Sequence, residues 1–137
     1  MENKTALKIM IVDDDKFLLN MYEVKFKNSG FEVAAACGAD DALNQLRLGY
    51  RPDILVSDLI MPKITGFEFL EMVKKENLKG EAVVIVLTNQ GQTTDIEKAV
   101  NLNVDGYIVK ATSIPSEVVE EVKNIYDKKQ TAKNLIK

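Results

Sequence analysis

The chain has no histidine. That removes the commonest general base and the commonest transition-metal ligand, so any chemistry falls to carboxylates, hydroxyls and amines. Cysteine is nearly absent too. Cys37 stands alone, which excludes an internal disulfide. It follows Ala34-Ala35-Ala36 and reads as a small buried or half-buried residue rather than a reactive thiol. Long hydrophobic runs are missing: none approaches the roughly 18 residues of a membrane span. The N-terminal Met1-Glu2-Asn3-Lys4-Thr5 lacks the apolar centre of a signal peptide. A cytoplasmic location without a membrane partner is the expectation. Positive charge is not in excess either. The 18 Lys and Arg against 21 Asp and Glu leave a net charge of −3, without the basic footprint that nucleic-acid binding needs.

What remains is an ordinary globular balance, 46% hydrophobic and 28% charged over 137 residues. This predicts one domain, 1–137, with a core at about 7–126 and a polar, lysine-rich segment 127–137 that extends the last helix or frays. Short Val- and Ile-rich runs alternate with longer segments of helical spacing, the pattern of a parallel sheet covered on both faces. Strands are predicted at 8–12, 32–36, 53–57, 83–87 and 106–109, and helices at 16–28, 39–48, 66–76, 92–102 and 115–127. The first helix is expected to bury Leu18, Met21, Tyr22 and Phe26, and the second to be capped by Asp40 or Asp41 above Ala42, Leu43 and Leu46. Phe69, Leu70 and Val73 serve the third, and Ile96, Ala99 and Val100 the weak fourth. Pro115 suits the first turn of the fifth, with Val118, Val122 and Ile125 inward. The expected fold is α/β: a doubly wound, five-stranded parallel sheet of flavodoxin-like type, order 2-1-3-4-5, with five helices.

Ligands of such sheets bind beyond the carboxyl ends of the strands. Asp13 and Asp14 follow the first strand, Asp58 the third, Thr88 the fourth and Lys110 the fifth. Carboxylates gathered there repel each other unless a cation sits among them. Magnesium suits the set, with Asp14 and Asp58 as direct ligands, Asp13 direct or through water, and a nearby backbone carbonyl. Asp58 can also act as a nucleophile toward phosphorus, because a carboxylate of pKa ~3.9 is already ionised and needs no base. Lys110 then offers positive charge and Thr88 a hydroxyl to the transferred group. Asp15 reads as an exposed residue or a cap for the first helix rather than a metal ligand.

The ordered set is similar to the receiver domain of two-component response regulators. It comprises Asp13-Asp14, Asp58, Met61-Pro62 and Gly66 at matching distances, Thr88, Tyr107 and Lys110, and the likeness spans about 7–126. The resemblance implies that Asp58 is the phosphoacceptor and that Asp13, Asp14, Asp58 and the Ile60 carbonyl hold Mg2+. It implies that Lys110 pairs with the phosphoryl group, and that Thr88 and Tyr107 switch inward together. The donor would be a phosphohistidine on a histidine kinase or histidine phosphotransfer protein. The changed surface, formed by the predicted fourth helix, fifth strand and fifth helix, would meet a downstream protein. The chain is expected to be a stand-alone regulator with no output domain and not an enzyme beyond its own phosphorylation and dephosphorylation. Two positions depart from the family: Ala111 follows Lys110 where a cis proline is usual, and Asn89 follows Thr88 where alanine is common. Ile60 and Gln90 flank the site where water attack on an acyl phosphate is tuned.

Three other readings fit the residues less well. Asp13-x-Asp15 and Thr88-Asn89 resemble a haloacid-dehalogenase-type phosphohydrolase, but the acidic pair expected on a later strand is missing. A flavin module on the same sheet would need a phosphate-binding first loop, which Asp13-Asp14-Asp15 opposes. A degenerate receiver that works unphosphorylated is disfavoured by the intact residue set. Met61-Pro62 and Gly66 are structural on any reading, the glycine expected to adopt an unusual backbone angle.

Overall fold

The computed structural model describes residues 6–89, 97, 101–110 and 114–136, with side chains through Lys133. The β-branched runs form β1 (Lys8–Val12), β2 (Glu32–Ala36), β3 (Ile54–Ser57), β4 (Val83–Thr88) and β5 (Gly106–Val109), all parallel, in the order β2-β1-β3-β4-β5. Four helices are described: α1 (Lys16–Asn28), α2 (Ala39–Arg47), α3 (Gly66–Lys75) and α4 (Pro115–Ile136). The predicted helix 92–102, with Ile96, Ala99 and Val100, lies outside the described residues apart from Glu97, Asn101 and Leu102.

Because strand side chains alternate between faces, the central strands feed two separate cores. Met10, Val12, Leu55, Val84 and Val86 pack beneath α2 and α3, on Leu43, Leu46, Phe69 and Val73. Ile9, Ile11, Val56, Ile85 and Leu87 face α1 and α4, on Leu19, Phe26, Val118 and Val122. Each fully buried large side chain contributes roughly 1.5–3 kcal/mol, so this two-sided core fixes the register that sets the site.

The helix ends account for most boundaries. Asp15 caps α1, its Oδ1 accepting the Phe17 and Leu18 amides. Thr65 and Glu68 form a reciprocal capping box on α3. Pro115 opens α4, which runs to Ile136, so the segment 127–137 is helical through residue 136.

Some inward positions differ from expectation. Leu19 is buried in α1, whereas Leu18 and Met21 are only half-buried; Val119 joins the stripe of α4, where Ile125 is half-buried. Asp40 and Asp41 do not cap α2. Gly38 occupies that position at φ 96°, and both aspartates sit in the first turn, where they favour the positive end of the helix dipole. Cys37 is exposed rather than buried, because β2 is an edge strand and ends just before it.

Candidate functional site

The register of the central strands builds the site. Val12 pairs with Ser57, so Asp13 and Asp58 leave the sheet side by side; the Asp58 amide donates to the Val12 carbonyl at 3.0 Å. Thr88 pairs with Val109, which brings Lys110 out beside it. Asp13, Asp14, Asp58, Thr88 and Lys110 all line one cleft of about 260 Å³, joined by Asp15, Leu18, Ile60 and Asn89. All five strand-end residues expected at the site are therefore brought together. Tyr107 is not in this cleft. It is half-buried against the α2–α3 core and lines a separate groove with Glu117, Glu120 and Glu121.

Each carboxylate is held by named donors. Asp13 Oδ1 accepts the Asp15 amide at 3.0 Å, and its Oδ2 accepts Lys110 Nζ. Asp58 Oδ1 accepts the Leu59 amide at 2.7 Å and the Ile60 amide at 3.3 Å, while its Oδ2 accepts Lys110 Nζ at 3.1 Å. Asp14 is exposed at the mouth. Lys110 thus bridges two carboxylates, and all three side chains are nearly withdrawn from water: Lys110 is 6% exposed, Asp13 3% and Asp58 12%.

Two carboxylates sharing one ammonium leave a net negative charge in a poorly solvated place. Burial raises the Asp13 pKa above the ordinary aspartate range, outweighing the hydrogen bonds from Lys110 and the Asp15 amide, and the charge of Asp58 adds to the rise. Burial alone would lower the Lys110 pKa. The hydrogen bond to Asp13 and the charges of both aspartates more than reverse that, so Lys110 stays firmly protonated.

Asp13, Asp14 and Asp58 each present a carboxylate oxygen within 4.8 Å of the others. Hard oxygen donors converging around uncompensated negative charge fit a small divalent cation. One lysine neutralises only part of that charge. Ile60, the expected carbonyl ligand, lies at the cleft and is 53% exposed. Gln90 and the Lys110–Ala111 peptide lie outside the described residues.

Gly66 differs from expectation in its reason. Its backbone is not in the left-handed region; what it supplies is space. Its amide donates to the Leu59 carbonyl at 2.8 Å, and a Cβ there would meet the Asp58 carbonyl oxygen at 1.9 Å. The Leu59 and Ile60 amides are the other functional groups that side-chain motifs do not reveal. They turn inward because the chain bends sharply between β3 and α3.

A family model described as the response regulator receiver domain matches residues 9–123. The chain belongs to this family. The receiver is 35% identical over 133 residues to the probable transcriptional regulator ycf29 of Porphyra purpurea, an alignment covering 96% of this chain and 63% of the relative. It is 29% identical over 120 residues to the phosphate regulon transcriptional regulatory protein PhoB of Escherichia coli (strain K12), covering 88% and 52%. The receiver thus spans only about half to three-fifths of those relatives. Among solved structures it is similar to the chemotaxis response regulator CheY4 of Vibrio cholerae, with TM-score 0.79, 25% identity, and 88% and 99% of the two chains covered. It is also similar to a CheY-like receiver domain protein of Methanospirillum hungatei JF-1, with TM-score 0.82, 25% identity, and 93% and 99% covered. No described helix of the receiver is long and apolar enough to cross a membrane.

Proposed function

We propose that Asp58 accepts a phosphoryl group from a phosphohistidine on a histidine kinase or histidine phosphotransfer protein, in a Mg2+-dependent reaction in the cytoplasm. One observation carries this reading: Asp58 Oδ1 is fixed by two backbone amides, while Oδ2 faces the cleft beside the buried Lys110 ammonium. The carboxylate is therefore oriented before the donor arrives, with one oxygen held and one presented.

In the transfer, Oδ2 attacks phosphorus, a P–O bond forms and the P–N bond to the donor ring breaks. With that ring protonated at its other nitrogen, it leaves neutral, so no general base is required of a chain without histidine. Lys110 can then redirect its donation from the Asp58 oxygen to the phosphoryl oxygens, and the Thr88 hydroxyl stands at the adjoining strand end. Magnesium, bound by Asp13, Asp14, Asp58 and the Ile60 carbonyl, would supply further positive charge to those oxygens. Phosphate then favours the conformer in which Thr88 and Tyr107 have moved inward, which shifts the population toward it and changes the surface around β5 and α4 for a downstream protein. The chain is on this reading a phosphorylation switch, not an enzyme acting on a separate substrate.

The test is intact-mass measurement after incubation with a small phosphodonor and Mg2+. Wild type should gain one phosphoryl group, and Asp58→Asn none. A phosphate retained by that variant refutes the assignment.

Two further outcomes are expected. Ile60 brings an apolar side chain to the cleft and cannot orient water. Ile60→Asn should therefore shorten the lifetime of the acyl phosphate, read as phosphate release after donor removal; an unchanged or longer lifetime contradicts this. Phe17 is 78% exposed, two residues past the α1 cap and close in sequence to the acidic pair. It offers an apolar anchor for the donor protein. Phe17→Ala should slow transfer from a phosphohistidine partner by about tenfold while leaving the small-phosphodonor reaction unchanged.

A further inference from the structure

Three carboxylates stand where strands begin, on the sheet edge opposite the acidic cleft. Asp53 immediately precedes β3, Glu81 lies two residues before β4, and Asp105 immediately precedes β5. Two of them already hold backbone. Asp53 Oδ2 accepts the Lys8 amide at 2.9 Å, and Asp105 Oδ2 accepts the Val84 amide at 2.8 Å. Asp105 keeps its second oxygen for a different partner.

That partner comes from the part of α4 beyond residue 126. Lys129 and Lys133 are spaced i, i+4 and so share one helix face. Lys129 Nζ lies 2.9 Å from Asp105 Oδ1, and Lys133 Nζ lies 2.9 Å from Glu81 Oε1. Asp105 is 13% exposed, so its pair is the better shielded; Glu81 is 92% exposed. Above them on the helix, half-buried Tyr126 feels the charges of both Asp53 and Lys133.

The composition of this stretch removes the usual alternative. Residues 127–133 read Asp-Lys-Lys-Gln-Thr-Ala-Lys, with no large apolar side chain to bury. A helical segment of this length is marginal in water on its own, and here no hydrophobic stripe holds it down. Among the described side chains of this stretch, the ion pairs are what join it to the sheet.

We propose that residues 127–133 form an electrostatic strap, in which Lys129 and Lys133 clip this part of α4 onto the starts of β5 and β4, and that rising ionic strength opens it. Both ion pairs are formed in the unphosphorylated receiver. Its position gives it a regulatory consequence. Asp105 abuts the strand that carries Tyr107, so one carboxylate ties the end of the last helix to β4 and β5 together. Whether the strap is closed therefore sets the direction in which the helix leaves the domain. Any shift of β5 also acts on the strap, by the reciprocity that links two coupled positions.

The test is backbone amide hydrogen exchange on the full chain, comparing residues 127–133 with residues 117–126. Lys129→Gln, Asp105→Asn and Lys133→Gln should each speed exchange in 127–133, by about threefold or more, with little change in 117–126. The asparagine retains an acceptor for the Val84 amide, so this variant keeps its fold. About 1 M NaCl, where charges are screened within roughly 3 Å, should speed the wild-type segment and leave the Lys129→Gln, Lys133→Gln double variant nearly unaffected. The charge swap Lys133→Glu with Glu81→Lys should restore protection lost in Lys133→Glu alone. Exchange in 127–133 that ignores salt and all these variants overturns the proposal. So does acceleration spread evenly over both segments, or a swap that restores nothing.

Discussion

Lys110→Met should lose about 3–5 kcal/mol of folding stability in metal-free buffer at neutral pH, although it changes one residue at the rim of the sheet. The size follows from what is left behind. Lys110 Nζ is the shared donor to Asp13 Oδ2 and Asp58 Oδ2, and all three side chains are nearly buried. Without it, two carboxylates face each other with little water and no lysine to offset them. An exposed lysine making the same contacts would cost only ~0–1 kcal/mol, so urea unfolding separates the two cases by magnitude. The pH dependence has a definite sign. Burial already holds the Asp13 pKa above its ordinary value, and loss of Lys110 raises it further. A carboxyl with a raised folded-state pKa favours folding when protonated. That contribution is fully present below the unfolded pKa and disappears as pH rises through the folded one. The deficit of Lys110→Met should therefore be smallest in acid and complete near neutrality. Added Mg2+ should stabilise the variant more than wild type, because the variant has more uncompensated charge to relieve. An unfolding curve that matches wild type in metal-free buffer at neutral pH would show that the ammonium does not bridge the pair.

The same lysine shows where sequence reasoning reached and where it stopped. That Asp13, Asp58, Thr88 and Lys110 meet at one edge was legible, because each ends an apolar run and parallel strands in a doubly wound sheet present those ends together. Strand limits were legible for the same reason: β1, β2 and β5 coincide with the apolar runs at 8–12, 32–36 and 106–109. That Lys110 bridges two carboxylates was not legible. Strand order places it near both, but only the strand register and side-chain path bring one ammonium within reach of Asp13 and Asp58. Cys37 reads as buried or half-buried from the small residues Ala34-Ala35-Ala36 before it, whereas β2 ends at the buried Ala36 and Cys37, one residue past the strand, is exposed. The strap was equally invisible. A run of lysines reads as a solvated tail until the fold sets Asp105 and Glu81 beneath it.

Gly66→Ala should damage this receiver far more than a single methyl group normally does. In a helix interior alanine is favoured over glycine by roughly 1 kcal/mol, and Gly66 is not in a conformation that an L-residue avoids. The obstacle is contact. An added Cβ would lie 1.9 Å from the Asp58 carbonyl oxygen, 2.5 Å from Leu59 Cα and 2.8 Å from the Asp58 carbonyl carbon. All three are backbone atoms, so no rotamer change relieves the clash; either the start of α3 or the turn after β3 must move. Overpacking typically costs ~1–3 kcal/mol where side chains can adjust, and a backbone clash belongs at the upper end of that range or beyond it. The displaced turn is the one whose Leu59 and Ile60 amides hold Asp58 Oδ1, and the Gly66 amide itself bonds the Leu59 carbonyl. The variant should therefore show two separable defects: a lower unfolding midpoint, and slower phosphoryl uptake from a small donor at temperatures where it is still folded. Gly49→Ala provides the contrast, because that site is strained by φ 108° but meets no atom within 4 Å and lies away from the cleft. It should lose stability without losing the rate of uptake. Equal rates for Gly66→Ala and wild type, measured on folded protein, would mean that the geometry of Asp58 does not depend on the close approach of α3.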